Sequence, residues 1–191
     1  MADSSSDPVT DSSTDPVTDR ATPVDPLAMF RLDGAVAIVT GASSGLGERF
    51  ARVLDAVGAS VVLVARRADR LESLAARLTD ALVAPADLAW SEDRERVVEA
   101  TLEHFGRVDL LVNNAGIGQK TAVEDEELDR FRLAMEVNVT AMWHLSKLVA
   151  PSMIEHGGGS IVNIASMLGH VGSTPVKQAH YCASKGAVVN L

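Results

Sequence analysis

The chain has 191 residues, 47% of them hydrophobic and 23% charged, a globular mix that fits one domain with or without a tail. Its formal net charge of −9 argues against a nucleic-acid duplex or an anionic membrane surface as partner, because both need clustered Lys and Arg. One cysteine, Cys182, excludes an intrachain disulfide framework and a cysteine-based zinc cluster, and no run of ~20 apolar residues spans a bilayer. A reducing, cytoplasmic setting is the expectation.

Residues 1–28 hold six Asp and one Arg and are otherwise built from Ser, Thr, Pro and small apolar residues. The repeated Asp7-Pro-Val-Thr-Asp11 and Asp15-Pro-Val-Thr-Asp19 block helix and sheet alike, so the segment reads as a disordered acidic tail, a solubilising leader or a binding arm. It has neither the basic start nor the apolar stretch of a signal peptide. Residues 29–191 read as a domain.

That domain alternates short apolar runs with amphipathic stretches. Strands are predicted at Ala35–Thr40, Ser60–Val64, Leu82–Ala84, Val108–Val112 and Ser160–Ile164. Helices are predicted at Glu48–Val57, Asp69–Leu78, Ser91–Phe105 (with Ser91 as cap and Gly106 as stop), Leu128–Ile154, and from near Tyr181 to Leu191. Strands that are apolar throughout and alternate with helices imply an α/β doubly wound parallel sheet covered on both faces.

Between strand one and its helix lies Thr40-Gly41-Ala42-Ser43-Ser44-Gly45-Leu46-Gly47. Gly41 allows the turn, Gly45 lets a pyrophosphate approach the backbone, and Gly47 lets the helix lie close to the sheet. The helix start favours an anion, so the turn reads as a dinucleotide site rather than as packing alone. Strand two ends in Ala65, with no carboxylate to meet a ribose 2′-hydroxyl, followed by Arg66 and Arg67. Arg66 above all is placed to grip a 2′-phosphate, which favours NADP(H) over NAD(H); the plain alternative is two solvated arginines at a helix start.

These residues resemble the short-chain dehydrogenase/reductase family. The likeness rests on the glycine pattern, Asp87-Leu88 after strand three, Asn113-Asn114-Ala115-Gly116 after strand four, Asn138, Ser166 and Tyr181-Cys-Ala-Ser-Lys185, and covers about residues 30–191. It implies an NAD(P)-dependent enzyme acting on a small carbonyl or alcohol, working as a homodimer or homotetramer. It also implies that Asp87 bonds the adenine amine, that Asn114 to Gly116 flank the cofactor, that Ser166 holds the substrate oxygen, and that Asn138 holds a water relaying protons to Lys185.

Tyr181 and Lys185 fall on one helix face. A lysine cation about 4 Å from a phenol contributes about 4 kcal/mol at an effective dielectric near 20, which lowers the phenol's pKa of about 10 by roughly three. That suits a general acid/base.

The five histidines show no metal-ligand spacing and read as solvated or satisfied, and Glu124 to Glu127 read as favouring the positive end of the following helix. The interval from Ser166 to Tyr181 is slightly longer than the family's, with Thr174 to Lys177 as the insertion. The family also continues for two strands and a substrate-covering loop beyond the position of Leu191. The 191-residue chain is therefore expected to expose strand five as an edge, to be poorly soluble or partly unfolded, and to show at most trace activity while some nucleotide binding survives. The runner-up reading is a non-catalytic nucleotide-binding or dimerising fragment.

Overall fold

The computed structural model describes residues 26–172 and 174–191; most of the predicted acidic tail lies outside that range. Two units divide after Phe30, two residues past the predicted boundary. Within the first, Ala28–Phe30 form a 3-10 turn.

Five strands, β1 (Val36–Thr40), β2 (Ser60–Ala65), β3 (Ala81–Pro85), β4 (Leu110–Asn113) and β5 (Ser160–Asn163), form one sheet in the order β3-β2-β1-β4-β5. All four pairings are parallel, with Val39 opposite Leu63 on one side and Val112 on the other. The helices are α1 (Gly45–Ala56), α2 (Ala68–Ala75), α3 (Ser91–Phe105), α4 (Leu128–Met135), α5 (Ala141–Glu155) and α6 (Ala179–Val189). This is the doubly wound α/β arrangement expected.

The apolar strands divide their side chains between two cores. Ile38, Val62, Val64 and Leu111 pack on α3 and α5 through Val97, Val98, Leu145 and Val149. Val39, Val61, Leu63 and Val112 pack on α1 and α2 through Ala51, Leu71 and Leu74. As expected for an edge, β5 is less covered: Ile161 is 39% and Val162 42% exposed.

Three local expectations shift. The predicted long helix is one helical run, but its middle, Glu136–Thr140, is a π-turn between α4 and α5. Arg94 of α3, buried, pairs with Glu136 at 2.9 Å at the start of that turn. Ser91 is the first residue of α3 rather than its cap, which is Trp90, while Gly106 ends the helix in the left-handed region as read. Helix α6 starts at Ala179, two residues early, and closes at Val189 with Asn190 as cap.

Candidate active site

Strands β1 and β4 end side by side, and the hydroxyl of Thr40 joins them. Its Oγ1 donates to Val112 O at 3.2 Å and accepts the N–H groups of Asn114 and Ala115 at 2.9 and 3.0 Å. One hydrogen and two lone pairs are thereby used, so the hydroxyl of Thr40, a residue expected among the cofactor residues, frames the site and has no bond left for a ligand. Asn114 returns the tie, its Nδ2 donating to Thr40 O at 2.8 Å.

Beyond these strand ends opens a cleft of about 450 Å³. Gly41, Ser43, Ser44, Leu46, Arg66, Asp87, Leu88, Asn114, Ala115 and Gly116, all singled out from the sequence, line it, as do Ala65, Arg67, Ile117 and Val137. Gly45 and Gly47 differ in their surroundings. A Cβ on Gly47 would come within 2.3 Å of Gly41 O, so that glycine serves packing. Gly45 has φ +62 and nothing within 4 Å of the Cβ position, so its backbone is open to a ligand. Helix α1 starts there with no side-chain cap on its first N–H groups. An uncapped helix start beside bare backbone fits a dinucleotide's pyrophosphate.

The two arginines differ. Arg67 Nη2 donates to Ser43 Oγ at 2.8 Å and Ser44 Oγ at 2.9 Å, tying the start of α2 to the glycine turn. Arg66 is 72% exposed and lies 3.9 Å from Asp87 Oδ2, a loose contact that leaves its guanidinium available. Asp87 is also fixed locally, its Oδ1 accepting Ala89 N–H at 3.1 Å.

The cleft meets the remaining site residues through the segment after β4. A Cβ on Gly116 would stand 3.3 Å from Asn138 Oδ1 and 3.7 Å from Lys185 Nζ. Asn138, fully buried in the π-turn, accepts Ile117 N–H at 2.8 Å and donates to Ile117 O and to Ser184 Oγ, each at 2.9 Å. An inserted π residue is a common way to aim one side chain out of helical register, and here it aims Asn138 at that main chain. Ser184 Oγ in turn donates to Tyr181 O at 2.9 Å.

Tyr181 and Lys185 share a face of α6, with Lys185 Nζ 5.8 Å from the Tyr181 ring centroid. Lys185 is buried and donates to Ile164 O just past β5. Burial holds its pKa below the usual lysine value. Ser166 lies three residues beyond β5 rather than at its end. It caps the 3-10 turn Met167–Gly169, and its Oγ accepts Leu168 N–H at 3.2 Å, which leaves its hydrogen free to donate. That turn sits on α6 so closely that a Cβ on Gly169 would come within 2.5 Å of Lys185 O.

The acidic run before α4 corrects an expectation. Glu124 pairs with Lys177 at 2.8 Å, and Glu126 is buried against His180, so neither serves the helix end. His180, Glu126 and Ser184 were not singled out as site residues; the pairing of 126 with 180 has no sequence signal, because it depends on how the chain returns past β5.

A family model described as short chain dehydrogenase matches residues 35–191. The chain belongs to this family. Over 167 residues it is 41% identical to human dehydrogenase/reductase SDR family member 7, covering 83% of this chain and 49% of that protein. It is 39% identical to nodulation protein G of Rhizobium sp. over 84% of this chain and 65% of that one. Among solved structures, a short-chain type dehydrogenase/reductase from Mycobacterium marinum superposes with a TM-score of 0.83 at 33% identity, over 87% of this chain and 70% of that one. A 7α-hydroxysteroid dehydrogenase complexed with NADH and 7-oxo glycochenodeoxycholic acid superposes at 0.82 and 33%, over 87% and 66%. The chain thus spans about half the length of the human relative and about two thirds of these others.

The buried lysine has a thermodynamic signature. With its folded pKa below the unfolded value, the unfolded chain binds more protons in the interval between the two, so stability rises with pH there. Denaturant titrations of the wild type and of Lys185→Met at pH 7 to 10 are expected to show the wild type gaining relative to the variant as pH rises. Parallel curves would mean that the ammonium is not penalised by burial.

Proposed function

We propose that this protein is an NAD(P)-dependent oxidoreductase interconverting a carbonyl and an alcohol, with NADPH preferred to NADH. The observation that carries this reading is continuity. One segment, Asn114 to Gly118, lines the cleft beside the glycine turn and then runs under Lys185 Nζ and the Tyr181 ring. A dinucleotide held at the turn has its reactive end in the direction of the one tyrosine and the buried lysine.

When bound, the nicotinamide supplies or accepts the hydride. The chain's own groups do the rest. The start of α1 and the open backbone at Gly45 face the pyrophosphate. Ala65 presents no carboxylate to the adenosine ribose, while Arg66 offers a free guanidinium and Arg67 braces the serines of the turn. Ser166 keeps its hydroxyl hydrogen for the substrate oxygen. Tyr181 exchanges a proton with that same oxygen, and the Lys185 ammonium nearby favours the phenolate left when the proton is given up. Asn138 fixes the main chain between cleft and tyrosine.

Turnover of NADPH with a panel of ketones, in a chain extended to the length of its relatives and in its Tyr181→Phe variant, tests the chemistry. The variant is expected to lose at least ~10²-fold in kcat, the usual scale for a general acid, with unchanged cofactor binding. Near wild-type turnover would overturn the role of Tyr181. Cofactor binding by that extended chain with no turnover of any ketone would favour the nucleotide-binding module instead.

Cofactor choice is tested by fluorescence titration of Arg66→Ala. A charge-assisted contact of about 1.5–3 kcal/mol predicts roughly 10- to 150-fold weaker NADPH binding and a far smaller loss for NADH. Equal losses would show that Arg66 does not read the 2′-phosphate.

A further inference from the structure

His180, the residue before Tyr181, is almost wholly enclosed: its side chain is 2% exposed and that of Glu126 6%. Its Nδ1 contacts Glu126 Oε1, and neither atom meets another polar partner among the described residues. On the other edge of the ring, Nε2 accepts the N–H of Gln119 at 3.1 Å. A backbone N–H can only donate, so Nε2 carries no hydrogen and the ring is neutral with its proton on Nδ1, on the side of the Glu126 carboxyl.

The contact has a direct consequence for Tyr181. A Cβ on Gly118 would come within 2.8 Å of Tyr181 Cδ2, so the backbone at 118 is laid on the phenol ring while the next residue is bonded to the ring before it. The same segment is held at Ile117 by both functions of the Asn138 amide. Further along, Thr121 N–H donates to Lys177 O at 2.9 Å, Thr121 bridges Gln178, and Lys177 pairs with Glu124. That ion pair is mostly exposed and contributes little. The bond from Gln119 to His180 is the enclosed one, and losing it strands a backbone N–H.

We propose that His180 is a positioning residue: as the neutral, Nδ1-protonated tautomer packed on Glu126 it accepts the Gln119 N–H, and so holds the Ile117–Thr121 segment against the Tyr181 ring as the wall a substrate meets. The role in substrate binding rests on the reading of Tyr181 as the proton-exchanging group; the bond itself does not.

Two substitutions divide the bond into halves. His180→Asn keeps an N–H near the Nδ1 position for Glu126 and leaves Gln119 N–H without an acceptor. His180→Gln extends an oxygen toward the Nε2 position and restores that acceptor. In the ¹⁵N-labelled 191-residue chain, His180→Asn is expected to speed hydrogen exchange at the Gln119 amide about tenfold, the cost of about 1.4 kcal/mol. It is also expected to weaken the NOE between Gly118 Hα and the Tyr181 ring, unambiguous because the chain has one tyrosine. His180→Gln is expected to keep both close to wild type. In turnover, measured in a chain extended to the length of its relatives, His180→Asn is expected to raise KM for the ketone several-fold with NADPH affinity unchanged, and His180→Gln to restore it.

Equal exchange at Gln119 in all three proteins, or equal acceleration in both variants, overturns the proposal. A KM that does not follow the exchange rates also overturns it, reducing His180 to a packing residue. Absence of any turnover in the extended chain would fail the oxidoreductase reading, whereas exchange and NOE still decide the bond. Should the variants not fold, the imidazole ¹⁵N shifts of the wild type decide it: a proton on Nε2 contradicts it.

Discussion

The hydroxyl of Thr40 closes the gap that a doubly wound sheet leaves between its two central strands. In the order β3-β2-β1-β4-β5 the connections from β1 and β4 leave toward opposite faces, so their chains part at the carboxyl ends. Of the main-chain N–H groups just past β4, that of Asn114 keeps Val112 O at 3.0 Å while that of Ala115 has left the ladder, and a buried unpaired N–H costs about 1–3 kcal/mol. Thr40 Oγ1 accepts two of them and donates to Val112 O, so the crevice opens only beyond a saturated seam. The cleft, the lysine and the tyrosine all meet the six residues that follow. Asn114 reaches back to the glycine turn, Gly116 passes Asn138 and Lys185, Gly118 lies on Tyr181, and Gln119 ends at His180.

Local charge, not net charge, decides what the cleft can accept. The chain carries −9, yet the mouth of the cleft offers Arg66, Arg67 and the uncapped start of α1, with Asp87 as the acidic group among its lining residues. Deeper in, Lys185 sits where burial works against its charge, and its hydrogen bond to Ile164 O fixes the ammonium beside the phenol ring. A cation held in this way stabilises developing negative charge without first reorganising solvent.

The fold was legible because a parallel sheet buried on both faces writes itself as unbroken apolar runs, and Val36–Thr40 and Ser60–Ala65 are buried almost throughout. The glycine turn was legible because close approach and open backbone exclude side chains, as Gly47 and Gly45 show. What escaped is what depends on contacts distant in sequence. Thr40 looked like part of the turn, but its bonds lie 72 to 75 residues away. The acidic run at Glu124 to Glu127 looked like a helix start, because only the folded chain brings Lys177 and His180 to it. A π-turn has no period of its own in a sequence, so Glu136–Thr140 read as ordinary helix. Arg67 read as the weaker arginine, and its bonds to Ser43 and Ser44 follow from the register of β1 against β2.

The central claim is that the cleft between the glycine turn and the segment after β4 holds a dinucleotide. Backbone amide NMR of the 191-residue chain during a NADPH titration tests it most directly. The result expected is one saturable set of shifts concentrated at Gly41 to Gly45, at Arg66 and Arg67, and at Asn114 to Gly116. Shifts that fail to saturate, or that gather away from these three segments, would contradict it.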